Sequence, residues 1–243
     1  MAEPKNKMIV ANLDDWKLFN LAVSTVPRVY IYGAPGIGKS RAGLIALQRD
    51  GKSVWQTTLN EDIVVQELIG HFVPEGNVFT WHNGPITQAF CNGDGLVINE
   101  LARASGSVKD MFLGILDDHS VASLSLPNKK TYTQGDGFKV VATSNTPPDE
   151  LDEALVDRFD VILHIKMPHP DIINVLNQAK PGFGDCVYDS YLDSKRAISP
   201  RRAFAFLHFI KNGVSTPSAA LLSFGDRSDE ILQMFKLRKV QGV

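Results

Sequence analysis

Gly33-Ala34-Pro35-Gly36-Ile37-Gly38-Lys39-Ser40 matches the pattern G-x-x-x-x-G-K-[ST] in full. The chemistry of that pattern is phosphate binding. Its glycines let backbone N–H groups converge on phosphate oxygens without side-chain obstruction. A helix starting at Lys39 would aim its positive end at the same anion. Lys39 would place a point charge at the β and γ phosphates, and the Ser40 hydroxyl would be a ligand for Mg²⁺. Sixty residues on, Leu96-Val97-Ile98-Asn99-Glu100 is an apolar run ending in an amide and an acid. Glu100 is the candidate that polarises an attacking water. Asn99 is the second candidate metal contact. It can accept a hydrogen bond from metal-bound water but brings no negative charge.

These residues need a parallel sheet to bring them together. The chain has 243 residues, 44% hydrophobic and 21% charged, which suits one large domain or a medium one with a small companion. Strands are expected at 28–32, 53–59, 95–100, 138–145 and 159–165. Helices are expected after Asn12 as N-cap, at 39–47, 61–69, 86–90 and 108–116. Two hairpins are expected, one around Pro74-Glu75-Gly76-Asn77 and one around Pro127-Asn128-Lys129. After Met167-Pro168 the β-branched runs stop, and helical segments follow near 172–178, 200–211, 218–222 and 229–236. Alternating strands and helices followed by helices alone predict an α/β fold. It combines a P-loop NTPase parallel sheet, flanking helices and inserted β-hairpins with a small all-helical lid. The division is 1–167 for the nucleotide-binding domain and 168–243 for the lid.

Composition narrows the partners. Lys plus Arg total 25 and Asp plus Glu total 27, a formal charge of −2. That balance excludes a chain-wide basic surface, though not a local basic patch. The two cysteines, Cys91 and Cys186, are too few for a disulfide scaffold or a Cys-based zinc site and suit a reducing compartment. No apolar run reaches membrane-spanning length and no export signal leads the chain, so a cytoplasmic location is expected. None of the six histidines forms a HExxH or Cys/His cluster. Phe72, Phe79 and Trp81 are either a partner-gripping set or the first hairpin's own packing. Lys129 and Lys130 on the second hairpin would face a central pore if a ring forms. Lys236, Arg238 and Lys239 read as a solvated helix end.

Taken in order, the motifs resemble an AAA+ ATPase of the MoxR-like group, including the CbbQ and NorQ type. The segment 33–40 resembles Walker A. Glu67-Leu68-Ile69-Gly70, Phe79-Thr80-Trp81 and Gly84-Pro85-Ile86 resemble that group's segment between the Walker motifs. The run 96–100 with Arg103-Ala104 resembles Walker B and its extension. Residues 140–145 resemble sensor 1, 153–159 the arginine-finger segment and 198–201 the start of sensor 2. The resemblance spans about residues 17 to 210.

It implies an ATP-hydrolysing remodelling ATPase with ATP and Mg²⁺, acting as a homo-oligomeric ring, a hexamer, on a protein client or adaptor. It further implies that Asn145 contacts the γ-phosphate or attacking water, although an Asn before Pro147-Pro148 also suits a turn. Arg158 would reach a neighbouring subunit's nucleotide, with an ion pair to Asp157 or Asp160 as the other reading. Arg201 would be the lid contact, with Arg202 as substitute, and Arg103 is either intersubunit or a surface charge. Asn99 departs from the group's Asp. It is either an amide introduced to trap nucleotide or the mark of a slow ATPase or a nucleotide-dependent assembly switch. A DNA-associated motor of phage or mobile-element type is the alternative from another class, and the near-neutral charge disfavours it.

Overall fold

A computed structural model of the chain describes residues 14–49, 51–193 and 196–237. Its centre is a five-stranded, all-parallel sheet of β1 (Arg28–Tyr32), β2 (Val54–Thr58), β5 (Gly95–Asn99), β8 (Lys139–Ser144) and β9 (Val161–His164). The order across the sheet is β2-β5-β8-β1-β9. Each strand alternates its side chains between two helical layers. Val29, Ile31, Val97 and Val141 pack on one face against α1 (Asp15–Thr25) and α2 (Lys39–Gln48). Tyr30, Leu96, Ile98, Val140 and Ala142 pack on the other. There they meet α3 (Val65–Ile69), α4 (Pro85–Asn92) and α5 (Gly106–Ile115). Apolar side chains on both faces are what a parallel sheet between two helical layers requires, and they explain why these strands read as continuous apolar runs.

Two hairpins stand outside this sheet. The first pairs β3 (Gly70–Glu75) with β4 (Val78–Asn83), and the second pairs β6 (Ser123–Ser125) with β7 (Thr131–Thr133). In the first, Phe72 lies opposite Trp81 and their rings meet edge to face at 5.1 Å. The hairpin thus packs part of its aromatic set on itself, while Phe79 stays 71% exposed.

After a short helix α6 (Glu153–Val156) and β9, the helices α7 (Pro170–Ala179), α8 (Phe183–Ser190), α9 (Pro200–Lys211), α10 (Thr216–Phe224) and α11 (Ser228–Leu237) bury a core of their own. Phe183, Phe206, Phe224 and Phe235 sit at its middle, with Phe183 and Phe235 4.8 Å apart edge to face. Burying each such ring stabilises the bundle by roughly 1.5–3 kcal/mol.

Three expectations need correction. The helix expected over 61–69 is only α3, because the Asn60 side chain accepts from the backbone N–H groups of Asp62 and Ile63 and holds 60–63 in a turn. The first helix is capped by Asp14, which accepts from Lys17 N at 2.8 Å. Asn12, like Arg238 and Lys239, lies outside the described residues. Helix α8 was not expected. Its Gly, Asp and Ser content hides the buried Phe183, Cys186 and Val187.

Candidate active site

Parallel strands deliver their C-terminal ends to one edge, where loops can converge on a ligand. Here Thr58, Asn99, Thr143 and Ile31 lie in register across β2, β5, β8 and β1. The residues that follow are Glu100 after β5, Asn145 after β8 and Gly33 after β1. Three adjacent strands thus present the acid, the amide and the phosphate loop side by side.

The loop 33–38 turns tightly against the protein. A Cβ on Gly33 would come within 2.1 Å of the Ile165 carbonyl oxygen, so no side chain fits there. Gly38 adopts a left-handed φ of 105° and is the N-cap of α2. That conformation favours glycine and turns the chain directly into the helix. The expected helix start at Lys39 is the observed one.

Lys39 is only 7% exposed, and its ammonium makes three hydrogen bonds. It donates to the Gly33 carbonyl at 2.7 Å, to the Ala34 carbonyl at 2.9 Å and to Asn145 Oδ1 at 3.0 Å. Burial pushes its pKa down to about 8, with the Glu100 carboxylate opposing that shift. Asn145 uses its other end on Glu100, donating from Nδ2 to Oε1 at 2.7 Å. Glu100 itself sits at a left-handed φ of 58°, an uncommon conformation for a non-glycine residue, just past the end of β5. Lys39, Asn145 and Glu100 therefore form one hydrogen-bonded row along the strand ends.

This row borders a cavity of about 450 Å³ that Ser40, Thr143 and Arg201 also line. Arg201 enters from the first turn of α9, where Pro200 fixes the helix start. Arg202 lies outside this cavity and lines an adjoining one with Arg201 and Arg227. A smaller cavity of about 240 Å³ opens on the other side of Gly38, between α2 and α7. His169, Ile172, Ala42 and Phe204 line it, and Phe204 belongs to both cavities. His169 N donates to the Ile37 carbonyl at 2.9 Å, which ties the start of α7 to the phosphate loop. The His169 ring also meets Trp16 edge to face at 4.7 Å and caps α7 by accepting from Asp171 N. Burial lowers the His169 pKa, and the neighbouring Asp171 opposes that shift. The neutral ring is the form that can accept.

The structure brings together Gly33 to Ser40, Glu100, Asn145 and Arg201. It does not bring Arg158 to this site. Arg158 donates to Asp117 Oδ2 at 3.3 Å, with Asp157 at 4.0 Å. Its Nε is buried without a partner. Asp160, the other acid expected beside it, is taken by Arg28 in a two-pronged pair at 2.7 and 3.1 Å. Asn99 is held inside the sheet, 6% exposed and away from the cavity wall. Arg103 is exposed. The sequence reading missed His169, Ile172, Phe204 and Thr143. Only the placement of His169 between two prolines at the expected domain boundary marked any of them.

A family model described as the AAA domain of the dynein-related subfamily matches residues 28–159, which run from β1 to just before β9. The chain belongs to that AAA family. Within the family its motifs are those of the MoxR-like group, and the AAA chain is 24% identical to the protein NorQ of Paracoccus denitrificans over 132 residues. That match covers 54% of this chain and 48% of NorQ. The AAA chain is also 28% identical over 126 residues to midasin of Dictyostelium discoideum, covering 49% of this chain and 2% of midasin. It thus spans about half the length of one relative and a small part of the other. Among solved structures, the Thermotoga maritima RuvB Holliday junction branch migration motor has a TM-score of 0.55 at 15% identity, covering 92% of this chain and 68% of that one. NtrX from Brucella abortus has a TM-score of 0.54 at 14% identity, covering 93% and 49%. A structure of NtrX in complex with ADP scores 0.52 at 15% identity, covering 93% of this chain and 47% of that one. These likenesses establish the fold.

Proposed function

We propose that this AAA chain hydrolyses ATP and uses the cycle, as a ring, to remodel a partner protein or complex. The observation that carries the reading is the row Lys39–Asn145–Glu100 beside the phosphate loop. Each member is a group that a bound triphosphate would re-partner. Phosphate oxygens would take Lys39 from the two loop carbonyls and would draw the Asn145 amide from Glu100. Glu100, released, would orient a water for in-line attack on the γ-phosphorus and accept its proton. The bridging oxygen between the β and γ phosphates leaves with ADP, and the backbone N–H groups of the loop and Lys39 hold its charge. Diphosphate alone leaves Asn145 on Glu100, so the row would distinguish the two nucleotides.

The smaller cavity beside Gly38 suits a flat base, with Ile172 and Ala42 as its apolar walls. Arg201 from α9 would touch the phosphates from above, which links their presence to the angle of the helices after Met167. We take residues 1–167 and 168–243 as the two moving parts. Arg158 does not line its own cavity, and its guanidinium would complete the site of a neighbouring copy. The two hairpins would carry the motion to the client.

Mg²⁺ is the ion this family implies. Ser40 lines the cavity and fits as its oxygen ligand. Asn99 does not fit, because its oxygen accepts from Thr143 Oγ1. When bound, the ion would neutralise phosphate charge.

The test is a comparison of ATP binding and phosphate release in the wild type and Glu100→Gln. The variant should bind ATP within about threefold of wild type while turnover falls at least about a hundredfold, the usual contribution of a positioned base. Unchanged turnover would remove Glu100 from the mechanism.

A further inference from the structure

Asn99 stands where the MoxR-like motifs carry Asp, and its surroundings are matched to an amide. On one side its Nδ2 donates to the Thr57 carbonyl oxygen at 3.1 Å and to Thr58 Oγ1 at 3.4 Å, both on β2. On the other side its Oδ1 accepts from Thr143 Oγ1 on β8 at 3.2 Å. The side chain therefore ties three neighbouring strands at their C-terminal ends. A backbone carbonyl oxygen can only accept. A carboxylate at position 99, where the side chain is only 6% exposed, would set oxygen against oxygen beside Thr57. Both ends of the amide are engaged within the sheet, with Thr143 between it and the cavity, and a carboxylate repelled by the Thr57 carbonyl would turn toward that side.

We propose that Asn99 is a neutral cross-strand tie that leaves the site without a metal-directed charge, so that the chain binds nucleoside triphosphate with affinity nearly independent of Mg²⁺. This rests on the nucleotide-binding reading above. The groups around the cavity agree with it. Positive charge is already supplied by Lys39, by Arg201 and by the N-terminus of α2. The carboxylate of the row, Glu100, holds the Asn145 amide before the phosphates arrive and is committed to the attacking water once they draw that amide away. A divalent ion entering with the phosphates would find the Ser40 hydroxyl and little negative charge from the protein. Divalent oxygen sites depend on such charge for affinity. Phosphate affinity would instead come from the protein's own cations.

The experiment is a titration of the wild-type chain with a fluorescent ATP analogue, followed by anisotropy, in excess MgCl₂ and in EDTA. The two dissociation constants should agree within about threefold, and a larger difference overturns the proposal. In Asn99→Asp the same change of medium should weaken binding by at least about tenfold, or about 1.4 kcal/mol. An Asn99→Asp protein that folds and stays indifferent to metal would also overturn it. Thr58→Val removes a partner of Asn99 without adding charge and lies outside the cavity lining, so it should keep the wild type's indifference. Loss of that indifference would refute the role of charge. Mn²⁺ uptake followed by electron paramagnetic resonance in the presence of ATP gives a readout independent of the fluorophore. Manganese should be held by wild-type-bound ATP no more tightly than by free ATP and at least about tenfold more tightly in Asn99→Asp, and equal affinity in both proteins overturns the proposal. Should the analogue bind neither form in either medium, with Lys39→Ala behaving as wild type, the nucleotide reading itself fails, an outcome distinct from metal-dependent binding.

Discussion

At the scale of single residues, Lys39 makes the site sensitive to pH in a direction that can be worked out. Its folded pKa of about 8 lies below the ordinary 10.5 of an unfolded chain. Between those values the unfolded state binds more protons, so the stability of the empty protein rises with pH across that window. Nucleotide binding runs the other way, because phosphates select the charged ammonium. ATP affinity should be flat below about pH 7 and then fall toward about tenfold per pH unit above 8, until the bound-state pKa is reached. Dissociation constants measured from pH 6.5 to 9.5 check this against Lys39→Ala, which should bind at least about a hundredfold more weakly and lose the slope. A wild type with no slope would mean that Lys39 is not the group the phosphates meet.

Among elements, the join between β1 and β9 depends on Arg28 and Asp160. The guanidinium grips the carboxylate with two nitrogens and donates a third bond to the Leu116 carbonyl after α5. Both side chains are only about a fifth exposed, at 20% and 23%. Asp160→Ala leaves a mostly buried cation without its partner, which should lower unfolding stability by about 1–3 kcal/mol, read from chemical denaturation. The same pair shows how far this fold was legible. The strands 28–32 and 95–99 could be read because both faces are buried and their apolar runs are continuous. The loop 33–40 could be read because its glycines have no other steric solution. The partner of Arg158 could not be read. Asp157 and Asp160 were near in sequence, whereas Asp117 arrives from the end of α5, forty-one residues away. The smaller cavity was equally hidden, because α2, α7 and α9 form it and its Ala42, Ile172 and Phe204 individually look like helix core. Helix α8 lacked a clean apolar stripe, since Gly184 and Ser190 occupy buried positions on it.

For the whole molecule, the placement of Arg158 away from its own cavity gives a test of ring action. Arg158→Ala should still bind ATP but lose turnover by about a thousandfold, the scale of a missing arginine finger. Mixing it with Glu100→Gln, itself inactive, should restore activity. In a randomly mixed ring about a quarter of the interfaces pair an intact Glu100 with an intact Arg158. Phosphate release from the mixture, set against each variant alone, reads this directly. No recovery, together with a monomeric elution profile in ATP, would assign Arg158 to holding Asp117 and nothing more.

The row from Lys39 through Asn145 to Glu100 has a consequence for the life of the chain before any ligand arrives. A deep anion pocket is ordinarily a liability, with like groups crowded together and nothing to answer them. Here the cation and the acid answer one another through a single amide. With no ligand needed to answer them, the pocket's charges are therefore paired within the chain itself. Its thermal unfolding without nucleotide should be cooperative, with ATP adding only the shift that mass action dictates. Arrival of the ligand then becomes a swap of partners rather than a rescue. Such a swap can be undone many times without the pocket losing its shape.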